Sequence, residues 1–340
     1  MNKLQKGLYY LFHKPACLGV ALLVRFAKIL PDKLYLRLMF RLKMGYWMDF
    51  SNPHTFNEKL QWLKLYNRKP EYVKMVDKYA VKKYIAGLIG EEYIIPTYGV
   101  WENFDDIDFE ALPNQFVLKT THGGGSNGVV VCLDKSQLDI ENVRLVLSRS
   151  MQQCIYQMLK EWPYKDVKPQ IIAEQYMVDE TAKELKDYKF FCFNGRVEYF
   201  KIDFDRFIEH KANYFDRNGS LMEFGEVICP PNFEKVIEIP KEISKMLELA
   251  ETISCGLPFA RVDLYNVNGK IYFGEITFYQ EGDEYEWSKI HVYSGEFTSI
   301  EKGLKHFHDF FDYFKDELSK RCFFIETDSG EKIATATISL

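Results

Sequence analysis

Residues 259 to 278, late in the chain, constrain its fold more than any other stretch: Phe-Ala-Arg-Val-Asp-Leu-Tyr-Asn-Val-Asn-Gly-Lys-Ile-Tyr-Phe-Gly-Glu-Ile-Thr-Phe. Two runs of aromatic and β-branched residues flank an Asn/Gly turn, the strongest short-range signal for a β-hairpin. With Val267, Asn268 and Gly269 as a three-residue loop, Asn266 faces Lys270, Arg261 faces Glu275, and Asp263 lies diagonal to Glu275. The period of two then sets Arg261, Asp263, Glu275 and Thr277 on one face of the ribbon. A two-residue loop would part Asp263 from Glu275, so the register decides what the hairpin is for. A cross-strand Arg–Glu pair contributes only about 0.2–1 kcal/mol, which makes the second carboxylate the informative residue. Neighbouring like charges repel unless a cation lies between them. Carboxylates that share Mg²⁺ with phosphates are one such arrangement, and a surface hairpin with solvated charges is the other.

A chain of 340 residues has room for one large domain or two to three small ones. Its net charge of -5 does not point to nucleic acid as a partner. The aromatic share of 16% suits extended pockets as well as cores. Seven cysteines, odd in number, widely spaced and without Cys-x-x-Cys, argue against a disulfide framework or zinc site and for a reducing compartment.

Up to Lys43 the charge is one-sided: Lys3, Lys6, Lys14, Arg25, Lys28, Lys33, Arg37, Arg41 and Lys43 stand against Asp32 alone. The apolar run from Ala16 to Leu30 is too short and too charged to cross a membrane and makes a poor signal peptide. It reads as a basic amphipathic helical segment that either docks on the protein's own core or lies on the anionic inner face of a membrane. Thr55 with Glu58 forms a capping box that opens a helix from Phe56 to Tyr66, and Pro70 opens a second helix through Val76, Tyr79 and Tyr84 that carries Asp77 and Lys78.

Phe116 to Val131 reads as strand, glycine-rich turn and strand. Gly123, Gly124, Gly125 and Gly128 let the backbone curl so that its N–H groups can cradle phosphates, with Lys119 alongside. Neither a Walker A lysine nor a helix-opening Rossmann fingerprint follows, and a mobile hairpin tip is the competing reading. Asp139 to Trp162 reads as one helix with Val143, Val146, Leu147, Cys154 and Met158 inward. Strands follow at Ile171 to Met177, interrupted by Glu174, and at Asp187 to Phe193, which Asn194-Gly195 turns into Arg196 to Asp203. Tyr214 to Gly219 is a short strand and turn, and Pro240 to Ile253 a helix. Beyond the hairpin come an acidic cluster (Glu281, Asp283, Glu284, Glu286) and a Phe/His-rich helix with Phe307, Phe310, Phe311 and Phe314 on its core face. His306 and His308 cannot share a helical face as metal ligands. The alternating end from Ser329 is a small strand or a frayed tail.

Taken in order, Lys78, Lys119 before a glycine turn, Glu174, and Arg261-x-Asp263 with Glu275-x-Thr277 resemble an ATP-grasp nucleotide site. More closely, the chain resembles the TupA-like ATP-grasp family, associated with teichuronopeptide and other bacterial surface-polysaccharide gene clusters. The likeness spans residues 50 to 280. It rests on Thr55-Phe-Asn-Glu-Lys-Leu-Gln-Trp62, Val76-Asp-Lys-Tyr79, Phe116-Val-Leu-Lys119, His122-Gly-Gly, Glu161-Trp-Pro163, Asp187-Tyr-Lys-Phe-Phe-Cys-Phe-Asn-Gly195 and Arg261-Val-Asp-Leu-Tyr265.

The resemblance implies an α+β ATP-grasp fold, two α+β subdomains clasping ATP, with a mainly helical N-terminal region. The expected division is a basic segment 1–50, a helical domain 51–112, a subdomain with the glycine flap 113–180, a subdomain with the metal hairpin 181–325 and a tail 326–340. It further implies that Lys78 and Lys119 bind the ATP phosphates under Gly123 to Gly128. Glu174 would receive the adenine amino group beside the backbone of Gln175 and Tyr176, Asp187 would meet the ribose, and Asp263 and Glu275 would hold Mg²⁺. Thr277 stands where the superfamily usually has a metal-binding Asn, and Arg261 would stabilise the transferring phosphoryl group. Such ligases turn a carboxylate into an acyl phosphate that an amine attacks. The expected partners are a carboxylate-bearing saccharide, a uronic acid, and a small amine, in the cytoplasm. The chain offers cations and carboxylates for that chemistry and shows no Ser/His/Asp or Cys/His pairing. Arg196, Lys201, Arg206, His210 and Lys211 could serve an anionic acceptor or be solvated charges at the sheet edge. Rival readings are a glycosyltransferase using Asp203-x-Asp205 and an ATP-grasp saccharide kinase.

Overall fold

The computed structural model describes residues 15–124, 128–179, 185–205, 208–222, 225 and 229–279, with the backbone of Arg321–Glu326 and Lys332–Ile338. It opens with two helices, α1 (Pro15–Arg25) and α2 (Asp32–Met44), which with the turn between them bury Leu23, Ala27, Tyr35, Leu36, Met39 and Phe40 in one cluster. α3 (Phe56–Tyr66) starts with the expected capping box: Glu58 N–H donates to Thr55 Oγ1 at 3.3 Å and Thr55 N–H donates to Glu58 Oε2 at 2.9 Å.

The single helix expected after Pro70 is instead two, α4 (Glu71–Val76) and α5 (Ala80–Ile89). Asp77 breaks the run. Its backbone is extended, with ψ 115°, and its Oδ1 accepts from the N–H groups of Tyr79 and Ala80 at 2.8 and 3.0 Å. A short acidic side chain that satisfies free N–H donors favours a new helix start over continuation. Lys78 therefore sits in a helix break, and its N–H donates to Thr121 O at 2.9 Å.

The first sheet is antiparallel throughout, ordered β1-β4-β2-β3, from β1 (Thr97–Trp101), β2 (Phe116–Thr120), β3 (Val129–Cys132) and β4 (Ile171–Gln175). Phe116, Leu118, Ile171 and Ala173 turn one face toward α6 (Ile140–Met151), which answers with Val143 and Leu147. The helix expected from Asp139 to Trp162 does not run that far. It stops at Met151, resumes as α7 (Ile155–Leu159), and ends at Lys160, whose φ is +55°. Tyr35 Oη donates to Met158 O at 2.7 Å and so satisfies a terminal carbonyl. Met158, expected inward, is 51% exposed.

The second sheet, ordered β10-β9-β5-β6-β7-β8, is also antiparallel. Its strands are β5 (Asp187–Phe193), β6 (Arg196–Phe204), β7 (Lys211–Asp216), β8 (Leu221–Met222), β9 (Phe259–Val267) and β10 (Lys270–Thr277). One face is apolar: Phe190, Phe200, Val262 and Leu264 pack under α8 (Ile243–Ser254) through Met246, Leu249, Ala250 and Ile253. Full burial of each such large side chain is worth about 1.5–3 kcal/mol, which anchors this sheet as a rigid platform. The opposite face carries the charges. Ile95, Met177 and Val267 join the rims of the two sheets in a small apolar cluster.

The β9–β10 hairpin corrects the expected loop while keeping the shared face. Val267 pairs with Lys270, so the turn has two residues, with Asn268 and Gly269 at φ +51° and +78°. A bulge between Phe273 and Glu275 then inserts Gly274 and shifts the register by one. Asp263 consequently pairs with Glu275 directly, and Arg261 faces Thr277 rather than Glu275. At the end of the chain, β11 (Arg321–Glu326) and β12 (Lys332–Ile338) form an antiparallel pair, so the alternating tail is a strand. The acidic cluster and the Phe/His-rich helix expected between the hairpin and β11 lie outside the described residues.

Candidate functional site

The charged face of the second sheet is built by alternation. Arg261, Asp263, Glu275 and Thr277 point away from the α8 core, as do Asp187 and Lys189 on β5 and Lys201 and Asp203 on β6. Arg261 grips Asp263 with two parallel bonds, Nε to Oδ1 at 2.6 Å and Nη2 to Oδ2 at 2.7 Å, and reaches Glu275 Oε1 from Nη2 at 2.9 Å. Lys189 Nζ lies 2.7 Å from Asp187 Oδ2, 3.0 Å from Asp263 Oδ2 and 3.5 Å from Asp203 Oδ2. The cation that two neighbouring carboxylates require is thus supplied twice by the protein itself.

Burial raises the Asp263 carboxyl against the pull of Arg261 and Lys189. Burial also works upward on Glu275, but Lys78, Arg261 and Lys189 outweigh it and hold that carboxyl below its ordinary value. Thr277 Oγ1 donates to Glu275 Oε1 at 3.4 Å, and among the described residues Glu275 Oε2 has no hydrogen-bond partner.

A second cluster lies at the glycine turn. Lys119 Nζ and Lys82 Nζ each approach one oxygen of buried Glu174 at 2.6 Å, Lys82 also donating to Ile95 O at 2.6 Å. Burial pushes Glu174 up, yet the two lysines prevail and keep it ionised below its ordinary range. Glu174 is thus the counter-ion of two cations, and an adenine amino group would have to share it with them. Lys82 escaped sequence reasoning, because its partner Glu174 lies far away in the chain.

Lys78 Nζ donates to Gly123 O. Loss of water lowers its ammonium, and Glu275, Lys119 and Glu174 all act on it, so this lysine links the two clusters. Gly128 needs its φ of +77°, and a side chain there would meet Ser150 Oγ and, at 2.8 Å, Thr120 Oγ1. Those two hydroxyls bond each other at 2.7 Å under the turn. Gly124 has Ile155 Cδ1 at 3.3 Å from where a Cβ would sit, and Gly125 lies outside the described residues. Gln175 N–H is taken by Pro96 O at 3.0 Å, and Tyr176 beside it is half-buried.

Other expected residues do not converge on Arg261. Lys211 pairs in register with Phe204, on the α8 side of the sheet, and binds Glu209 Oε1 at 2.8 Å. Arg196 is an edge charge on Glu198 at 3.2 Å, and Arg206 lies outside the described residues. Lys201 is buried at 3.5 Å from Asp203 Oδ1. Asp203 and Asp205 part company: the first joins the sheet-face network, whereas the second, at φ +54°, takes Lys235 on both oxygens at 2.6 Å. One pairing not visible in the sequence is His210, with Nδ1 3.4 Å from Cys229 Sγ and Nε2 3.6 Å from Asp203 Oδ2. A cavity of about 320 Å³, lined by Phe56, Leu60, Trp62, Phe193 and Phe259, holds none of the expected site residues.

Two antiparallel sheets, a glycine turn flanked by lysines and a charged hairpin face define an α+β protein with a cationic cradle over a carboxylate floor. The chain belongs to the TupA-like ATPgrasp family, which it matches over residues 58–297, and its fold class is that of the ATP-grasp proteins.

Among solved structures it is similar to D-alanine–D-alanine ligase from Bacillus anthracis at 19% identity, over 72% of this chain and 67% of that one, with a TM-score of 0.38. It is also similar to D-alanine–D-alanine ligase from Helicobacter pylori at 14% identity, over 66% and 62%, with a TM-score of 0.37. A third is the ADP complex of purK, N5-carboxyaminoimidazole ribonucleotide synthetase, at 17% identity, over 72% and 57%, with a TM-score of 0.37. The chain thus spans 57% to 67% of the length of these three proteins. No curated protein matches it in sequence.

Proposed function

We propose that this protein is an ATP- and Mg²⁺-dependent ligase that joins a carboxylate to an amine through an acyl phosphate, the carboxylate being a uronic acid of a bacterial capsular or other surface-polysaccharide precursor. The observation that carries the reading is the position of Lys78, held on the glycine turn beside Lys119 yet acting electrostatically on Glu275 of the hairpin. Phosphoryl transfer needs positioning and charge neutralisation rather than a protein nucleophile.

Lys78 and Lys119 take the polyphosphate, with the backbone of Gly123, Gly124 and Gly128 beside it. Arg261 meets the transferring phosphoryl group and the acyl phosphate, while Lys189 keeps Asp263 neutralised. The donor set fits Mg²⁺ that arrives with the phosphates: Glu275 has one oxygen without a hydrogen-bond partner among the described residues, whereas both oxygens of Asp263 face Arg261. Among the described residues no three His, Cys, Asp or Glu side chains gather as a closed metal cage. Glu275, with Asp263 and Thr277 behind it, would hold the ion, which supplies charge neutralisation at the phosphates. Lys201 and His210 lie at the far end of the same face, where an anionic acceptor would bind. No disulfide joins Cys132, Cys154, Cys192, Cys229 or Cys255, in keeping with a cytoplasmic location.

The test is ADP release from Mg-ATP with D-glucuronate and hydroxylamine, which traps an acyl phosphate as a hydroxamate. Hydroxamate and ADP in equal amounts are expected, with kcat/KM reduced about 100-fold or more in Lys119→Ala. Full activity in that variant rejects the assigned site. A stable phosphorylated sugar without hydroxamate makes the enzyme a kinase. A melting-temperature rise with UDP-sugars but not with Mg-ATP makes it a glycosyltransferase.

A further inference from the structure

The sheet face that carries Arg261 changes character along its strands. Phe259 lies two residues before Arg261 on β9, about 7 Å along the strand, so both point to the same side. Phe193 pairs with Phe259 and Phe191 with Arg261, and together with Tyr199 and Tyr214 they make this end of the face aromatic. α3 covers it: Phe56 meets the Phe259 ring edge-on at 5.1 Å, and Leu60 joins the same cluster. The cover is incomplete. Between α3 and the strand ends lies the cavity of about 320 Å³, floored by buried Phe56, Leu60, Phe193 and Phe259. Half-buried Lys59 and Trp62 and exposed Asn194 stand at its mouth.

The lining selects the chemistry of an occupant. Among the described residues that form it, all are apolar or aromatic except Lys59 and Asn194, and none is a carboxylate. The Asn194 N–H is already given to Pro258 O at 3.1 Å. A saccharide seated on this floor would bury several hydroxyls with two polar side chains to meet them, and each one left unpaired is costly. A hydrocarbon chain carries no such cost and gains with every methylene buried. At about 30 Å³ for a water-sized group, the cavity holds about ten such groups, more than an aliphatic side chain offers. From the mouth a run of rings and cations leads to α2. Trp62 lies 5.2 Å from the Tyr66 ring, Tyr66 lies 6.5 Å from Phe50, and Lys33 Nζ of α2 sits over the Phe50 and Tyr66 rings at 5.6 and 6.0 Å. Exposed Leu34 follows Lys33. Rings set between an apolar floor and water, with cations over them, suit an anionic amphiphile.

We propose that this cavity is a lipid-binding site: it takes one apolar chain of an anionic lipid on Phe193 and Phe259, with the anionic head beside Lys59. Charge complementarity sets the sign of the head, since the mouth offers a cation and the lining no acid. The volume sets the length of the buried chain, and the cationic, apolar edge of α2 beside the mouth faces the side from which a lipid would enter. The site does not depend on the ligase reading. Sharing a sheet face with Arg261, it brings a lipid within two strand positions of the charged floor.

Calorimetric titration of the full chain with hexyl, octyl, decyl and dodecyl phosphate, each below its micelle concentration, tests the assignment. Kd is expected to tighten about fourfold per added methylene up to about ten carbons and then to level off, with inorganic phosphate inert. Octyl phosphate should bind about fivefold tighter than octanol, and Lys59→Gln should erase that preference. Leu63 also lines the cavity, and Leu63→Trp, which fills it, should weaken decyl phosphate by about 30-fold or more. If that variant does not fold, the chain-length series on wild type carries the test by itself. No binding at any chain length, an affinity that ignores chain length, or octanol bound as tightly as octyl phosphate overturns the site. So does a folded Leu63→Trp that binds like wild type. Affinity that stops growing at about six carbons overturns it too, and marks a pocket for a partner's side chain instead.

Discussion

Arg261 divides its guanidinium between two carboxylates, two bonds to Asp263 and one to Glu275, whereas Glu161 is buried with no hydrogen-bond partner for its carboxylate among the described residues. Burial opposes ionisation in both places. At Asp263 burial still prevails over the adjacent Arg261 and Lys189 and the carboxyl is raised; at Glu161 Lys64 opposes it only in part, and the carboxyl rises from 4.5 to about 7. The consequence for stability has a definite sign. Between these two values the folded state holds more protons than the unfolded chain, so stability falls as pH rises through that window. Glu161→Gln removes the titration. Its stability relative to wild type should grow from near zero at pH 4.5 to about 3 kcal/mol in favour of the variant at pH 8, each pH unit across the window being worth about 1.4 kcal/mol. Urea unfolding at the two pH values measures this, and a difference that does not change with pH would show that Glu161 is paired after all.

At the scale of elements, the β9–β10 hairpin shows both what the sequence makes legible and what it hides. Alternation was enough to set Arg261 with Asp263 and Glu275 with Thr277, each pair on one face of its own strand. The loop length was not, because Asn268-Gly269 alone makes a two-residue turn, and the lost register is restored by a bulge that no local propensity announces. The helix break at Asp77 was hidden for a related reason: a helix-compatible run was cut by side-chain capping, and Lys78 is placed by an N–H bond to a distant strand. Contacts made by residues far apart in sequence, such as Lys82 with Glu174 or His210 with Cys229, leave no trace in spacing.

The bulge itself can be tested. A Cβ on Gly274 would stand 3.0 Å from Asp263 O and 3.0 Å from the Tyr265 ring. Gly274→Val is therefore expected to destabilise by about 1–3 kcal/mol through overpacking and to lower ADP release further than the melting temperature explains, because Glu275 loses its place opposite Asp263. Activity that merely follows the fraction folded would mean the register survives.

Across the whole molecule, the N-terminal helices are tied to the catalytic body from inside while presenting an apolar edge outside. Lys160 Nζ donates to Ala27 O at 2.6 Å, and Tyr156 Oη donates to Asp32 Oδ2 at 2.9 Å. The inner face is thus docked, as one reading of the basic segment requires. On the outer side Leu22, Phe26, Ile29 and Leu34 are 49%, 54%, 79% and 45% exposed, with Arg25, Lys28 and Lys33 among them. No described helix is long and apolar enough to cross a membrane. Exposed apolar side chains interleaved with cations match the second reading, contact with an anionic lipid surface, where each cation near the surface adds about 1 kcal/mol. A precursor carried on the membrane would then meet the site on a protein already held at that surface. Co-sedimentation with phosphatidylserine vesicles at low salt should pellet the protein, neutral vesicles or about 0.5 M salt should not, and Phe26→Ser with Ile29→Ser should abolish binding while leaving ADP release intact. If the protein stays in solution with acidic vesicles at low salt, the apolar edge is not a membrane contact.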